Sequence, residues 1–118
     1  IKDNHVKTLK LEGLNLTGVI QKAKSNASHT IKVEVEVETV EQAVEAASAG
    51  ADIILLDNMS TEEMKKAVES CPDRAVTEAS GGINLETVKS VAETGVNLIS
   101  VGAITHSAPN LDLSLDID

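Results

Sequence analysis

The 118-residue chain contains no phenylalanine, tyrosine or tryptophan. That absence removes the stacking surfaces on which single-stranded nucleic acids lie. It also leaves aliphatic side chains to build the whole core. Positive charge is scarce as well. Lysine and arginine total 10 against 19 aspartates and glutamates, for a formal net charge of -9. Such a surface repels a phosphate backbone, so nucleic acid is not an expected partner. Arg74 is the sole arginine, which leaves almost no planar forks to grip a substrate with several carboxylates. A single cysteine, Cys71, excludes an internal disulfide and suits a reducing compartment such as the cytoplasm. The longest apolar run, Ile53 to Leu56, is far too short for a membrane span. A signal or transit pattern is not seen at the first residues, and no membrane partner is expected.

What is present is aliphatic and periodic. Apolar residues make up 42% of a chain long enough for one domain, taken as residues 1–118. Ile31 to Val37 alternates apolar and polar residues, a strand pattern with Val33, Val35 and Val37 on one face. Thr39 to Gln42 has the form of a capping box, and Val40, Ala43, Val44 and Ala47 share one side of the helix that follows, which Gly50 ends. The unit then recurs. A strand at Asp52 to Leu56 precedes a second capping box at Ser60 to Glu63 and a helix lined by Met64, Ala67 and Val68. A strand at Ala75 to Glu78 precedes a helix capped by Asn84, faced by Leu85, Val88 and Val91 and ended by Gly95. Asn97 to Val101 is a further strand. Leu16 to Lys24 suits a leading helix, Ile1-Lys2 the end of an earlier strand, and Asp112 to Asp118 a frayed tail or a docking strand.

Strands alternating with helices of this size imply a parallel α/β sheet with right-handed crossovers. Either an open doubly wound sheet or part of a (β/α) barrel fits. A complete barrel typically needs roughly 250 residues, so the second alternative is a partial barrel with exposed sheet edges.

In such folds chemistry gathers where strands end. Glu36, Asp57 and Glu78 recur at equal spacing, each near a strand end, which predicts three carboxylates in register at one mouth. Carboxylates in that arrangement suit magnesium with water and substrate oxygens, and single carboxylates equally serve as loop caps. Ser80-Gly81-Gly82 and Gly102-Ala103, with Thr105, His106 and Ser107 beyond, are small residues that let backbone N–H groups approach an anion. Ordinary βα turns use the same residues. Lys2-Asp3-Asn4-His5 places a cation at a strand end, His29 reads as a loop residue, and Cys71 before Pro72 reads as structural.

Taken in order, IKDNHV at 1–6, KVEVEVET at 32–39, ADIILLDNM at 51–59, TEASGGI at 77–83 and ISVGAITHSAPNLDLSL at 99–115 resemble one family along essentially the whole chain. That family is quinolinate phosphoribosyltransferase, or carboxylating nicotinate-nucleotide pyrophosphorylase. The resemblance implies the later part of a TIM-like (β/α) barrel whose parallel strands alternate with helices. It implies transfer of a phosphoribosyl group from phosphoribosyl pyrophosphate to quinolinate, with magnesium, giving nicotinate mononucleotide, pyrophosphate and carbon dioxide for NAD synthesis. It further implies a cytoplasmic enzyme that forms a homodimer or higher homo-oligomer. By matching motif, Lys2 contacts quinolinate or the pyrophosphate. Glu36 and Asp57 bind the ribose hydroxyls and magnesium. Ser80, Gly81 and Gly102 hold phosphate, His106 closes the phosphate site, and Glu78 is a neighbour. The family's arginine-rich quinolinate pocket is not matched by these 118 residues. A partial barrel that only binds phosphate, or self-associates through its edges, is the alternative.

Overall fold

The computed structural model describes residues 15–101 and the backbone of residues 114–116. Its first helix, α1 (Leu16–Asn26), starts where the Asn15 side chain accepts the Gly18 N–H. Leu16, Val19 and Ile20 form its buried stripe. Strand β1 (Glu34–Val37) leads to α2 (Val40–Ser48), β2 (Ile53–Asp57) to α3 (Thr61–Ser70), and β3 (Val76–Ser80) to α4 (Val88–Ala92). Strand β4 (Leu98–Ser100) follows, and β5 (Ser114–Asp116) completes the sheet.

Side-chain caps start the helices where the residue pattern places them. At α3 the Ser60 hydroxyl accepts from Glu63 N while the Glu63 carboxylate accepts from Ser60 N, the reciprocal box. At α2 the Thr39 hydroxyl accepts from Gln42 N, but the Gln42 side chain reaches one residue further back, to Glu38 N. The third helix start departs from expectation. The Asn84 carboxamide accepts from both Glu86 N and Thr87 N, and this tight turn delays α4 to Val88. Leu85 therefore leaves the helix face and is 72% exposed, while Val91 is buried. Ile31, expected in the first strand, is also exposed, and pairing begins at Glu34.

The strands lie in the order β1-β2-β3-β4-β5, with the first four parallel and β5 antiparallel to β4. Sequential order without a reversal is what an α/β barrel uses, whereas a doubly wound sheet turns back at a switch point. With right-handed crossovers, every helix falls on the same side. The two architectures left open by periodicity are thereby separated in favour of the barrel type. Of the two readings of residues 112–118, the docking strand matches β5.

The core lies between the helices and one phase of the strands. Val35, Val37, Ile54, Leu56, Ala79 and Ile99 meet Ala43, Ala46, Ala47, Met64 and Ala67, all of them buried. Cys71 sits at the end of α3, its thiol against the Ala43 carbonyl, and burial raises its pKa. That placement agrees with a structural role, because a thiol is the unreactive form.

At the entry end of the strands Asp52 joins α1 to the sheet. Its Oδ2 accepts the Val33 N–H at 2.8 Å, and both oxygens accept from Lys24 Nζ at 3.0 Å. The Val33 hydrogen bond, the largest effect, holds the carboxyl below its ordinary pKa; burial opposes it, and Lys24 and the charge of Lys32 add to the lowering. A pKa lowered by folding stabilises the folded state above the ordinary carboxylate value, and that contribution disappears as pH falls through the folded value. Asp52→Asn is therefore expected to be less stable than wild type in urea melts at neutral pH. The gap should close as pH falls below the ordinary carboxylate range and through the lowered folded-state value. A gap independent of pH would show that the carboxylate charge contributes nothing.

Candidate active site at the carboxyl ends of the strands

Among the described residues no helix lies over the second phase of the strands. This phase presents Glu34 and Glu36 from β1, then Ile53, Leu55 and Asp57 from β2. Val76, Glu78 and Ser80 follow from β3, and Leu98 and Ser100 from β4. Except for exposed Glu34, these residues are half-buried. The residues nearest the strand ends are polar, and the apolar ones lie deeper. Alternation thus sorts the strands into a dry side and a side carrying the polar residues.

The equal spacing of Glu36, Asp57 and Glu78 does not become a common register. Glu36 and Glu78 are both level with Leu55, whereas Asp57 lies two residues further on, level with Ser80. Only Asp57 ends its strand. The predicted row of three is therefore a staggered set, because β1 with β2 and β2 with β3 pair at different offsets. All three carboxylates still share one face. Among the described residues no three histidine, cysteine, aspartate or glutamate side chains form a metal-holding group.

The loops after β2 and β3 meet closely. Asn58 takes a left-handed conformation, φ 51°, and its N–H donates to the Ser80 carbonyl at 3.0 Å. Gly81 follows at φ 87° and Gly82 at φ 65°. A β-carbon on Gly81 would lie 2.5 Å from the Asn58 Oδ1 and 3.0 Å from its backbone nitrogen. Gly81 is thus required twice, by its backbone angle and by the approach of Asn58. The residue pattern offers an anion-binding role or an ordinary βα turn for it, but not the close approach of Asn58. Asn58 itself was not singled out, although asparagine directly after a buried strand is a recognisable left-handed candidate.

On the other flank the Ser100 hydroxyl donates to Glu78 Oε1. Ser100 was not singled out either. Its signal is phase: the alternation that buries Ile99 places Ser100 on the face of Glu78. Structure therefore brings Asp57, Ser80 and Gly81 together, with Glu36 and Glu78 one step deeper. Lys2, Gly102 and His106 lie outside the described residues. His29 is exposed at the opposite pole, beside a cleft of about 410 Å³ that Asp52 and Lys24 also line.

Comparison with known proteins accords with this geometry. Residues 1–116 match the model of the quinolinate phosphoribosyl transferase C-terminal domain. The probable carboxylating nicotinate-nucleotide pyrophosphorylase of Methanothermobacter thermautotrophicus is 45% identical over 122 residues, covering 99% of this chain and 42% of that protein. Its counterpart in Bacillus subtilis is 42% identical, covering 99% of this chain and 39% of that protein. The solved nicotinate-nucleotide pyrophosphorylase of Francisella tularensis superposes with a TM-score of 0.78 at 35% identity, over 98% of this chain and 38% of that one. The chain spans about two fifths of the length of these relatives.

Gly81→Ala is expected to destabilise the domain by more than about 1 kcal/mol, since left-handed backbone alone costs a β-carbon about 1–2 kcal/mol. Gly82→Ala should cost less, because only Asn58 Oδ1, at 3.9 Å, lies near its added carbon. Equal losses in denaturant titrations would remove the Asn58 contact as the reason for Gly81. A staggered acidic face, a tight Asn58–Gly81 crossing and the match over residues 1–116 converge on one assignment: the chain belongs to the quinolinate phosphoribosyl transferase family, as its C-terminal domain.

Proposed function

We propose that this domain supplies the phosphoribosyl-binding half of a carboxylating nicotinate-nucleotide pyrophosphorylase. The reaction moves the phosphoribosyl group of phosphoribosyl pyrophosphate to the ring nitrogen of quinolinate. The bond from the anomeric carbon to pyrophosphate breaks and a carbon–nitrogen bond forms; carbon dioxide then leaves, and the ring carbon that carried it takes up a proton to give nicotinate mononucleotide. The observation that carries this reading is the meeting of Asp57 with Ser80 and Gly81 at adjacent strand ends. It puts a diol-binding carboxylate beside a hydroxyl and a glycine turn suited to phosphate.

Each residue has a role set by its chemistry. Asp57 and Glu36 accept hydrogen bonds from the ribose hydroxyls, and their negative charge favours the positive charge that develops on the ribose ring. Ser80 offers a hydroxyl, and Gly81 and Gly102 offer backbone N–H groups to phosphate. Lys2 and His106 add donors for the anionic groups. The donor set fits magnesium brought in with the substrate. This ion is commonly held by one or two carboxylates plus substrate phosphates rather than by a protein cage. When bound, magnesium neutralises the departing pyrophosphate. A cytoplasmic location and a homo-oligomer belong to the same reading. Among the described residues no helix is long and apolar enough to cross a membrane.

A second reading rests on half-buried Ile53, Leu55, Val76 and Leu98, on the face that no described helix covers. Apolar groups in that position favour coverage by other protein, and a non-catalytic partial barrel would self-associate there. Both readings allow self-association, so a turnover assay beside sedimentation separates the two. The non-catalytic reading requires self-assembly without turnover.

In a protein carrying this domain at the full length of its relatives, Asp57→Ala should weaken magnesium–phosphoribosyl pyrophosphate binding by about 1.5–3 kcal/mol, the range for hydrogen bonds to a charged group. Titration calorimetry reads this directly. Unchanged affinity would take Asp57 out of the site.

A further inference from the structure

Glu78 lies diagonally between two polar side chains on the flanking strands. On β2 it is level with Leu55, so Asp57 is two residues nearer the mouth. On β4 it is level with Leu98, so Ser100 is likewise two residues nearer the mouth. Its lateral neighbours Leu55 and Leu98 are apolar and offer the carboxylate nothing. Diagonal positions on one sheet face are within reach of a long side chain, so Glu78 has two directions in which to lean. Toward Asp57 it meets a second carboxylate. Toward Ser100 it meets a donor. In the structure it takes the second, with Ser100 Oγ donating to Oε1.

We propose that Ser100 is a positioning residue that holds the Glu78 carboxylate on the β4 side, clear of Asp57. Two carboxylates brought close together repel each other, and a Glu78 side chain leaning toward β2 would compete with substrate for the space beside Asp57. Held apart, Asp57 meets the ribose hydroxyls and the metal-bound substrate as a free carboxylate. Ser100 thereby acts on substrate through Glu78 and Asp57 without touching it. This inference rests on the role proposed for Asp57. It adds a residue of β4 to that site and gives Glu78 a reason to be kept at a distance.

The test uses the full-length protein and steady-state kinetics with both substrates. Ser100→Ala should raise the KM for magnesium–phosphoribosyl pyrophosphate about tenfold, the lower end of the loss of one charged hydrogen bond. The KM for quinolinate should stay within about twofold, and Ser100→Thr, which keeps the hydroxyl, should restore the wild-type value. The decisive variant is the double replacement Ser100→Ala with Glu78→Gln. Removing the charge that Ser100 restrains should bring the KM back toward wild type. A Ser100→Ala protein with normal KM overturns the proposal. So does a double variant no better than Ser100→Ala, which would mean that the serine supports the fold or that Glu78 itself binds substrate. Asp57→Ala measured alongside separates the two levels. If it binds substrate normally, the reading of Asp57 fails. If it is defective while Ser100→Ala is not, only the role of Ser100 fails.

Discussion

Everything described in this domain depends on helices packing against one face of the sheet, through a core that has no aromatic ring. Small side chains carry that packing. Ala43, Ala46 and Ala47 let α2 settle directly on Val35, Val37 and the β2 pair Ile54 and Leu56, all almost inaccessible to solvent. Close aliphatic packing of this kind is sensitive to single methylene groups. It therefore fixes which phase of each strand is dry. Because the period is two, fixing one phase fixes the other. Glu36, Asp57, Glu78, Ser80 and Ser100 are placed by the burial of their neighbours.

Placement is then refined by local contacts rather than by the core. Asn58 bridges the loop after β2 to the end of β3 through Ser80, and Gly81 leaves room for it. Ser100 ties β3 to β4 through Glu78. At the opposite pole Asp52 joins α1 to β1 and β2. One end of the sheet is thus fastened by an ion pair and the other by neutral donors, one to the Ser80 carbonyl and one to the Glu78 carboxylate. That division matches the rule that the carboxyl ends of barrel strands serve chemistry and the amino ends serve stability.

Much of this was legible in the residues. The strand phases followed from Val33, Val35 and Val37, and both the Ser60 box and the Thr39 cap followed from their spacing. The barrel type was legible only through the family resemblance, since periodicity cannot state strand order. Register was not legible either. Equal spacing of Glu36, Asp57 and Glu78 suggested a level row. Pairing offsets, however, depend on how each helix and its two loops span the sheet, and these differ between units. Leu85 was misplaced because the side chain of Asn84 competes with the helix for backbone donors. Asn58 and Ser100 were passed over because neither belongs to a recognised chemical pattern. Their importance arises from which residue stands beside them on the next strand. Residues Lys2, Gly102 and His106 rest on motif alone.

The central claim is that the polar phase of this sheet is the phosphoribosyl side of a site that makes nicotinate mononucleotide. The most direct measurement is product formation by the full-length protein with quinolinate, phosphoribosyl pyrophosphate and magnesium, following carbon dioxide and pyrophosphate together. The account predicts nicotinate mononucleotide with one carbon dioxide and one pyrophosphate released per turnover. A folded protein that consumes phosphoribosyl pyrophosphate with a different acceptor, or not at all, would contradict it.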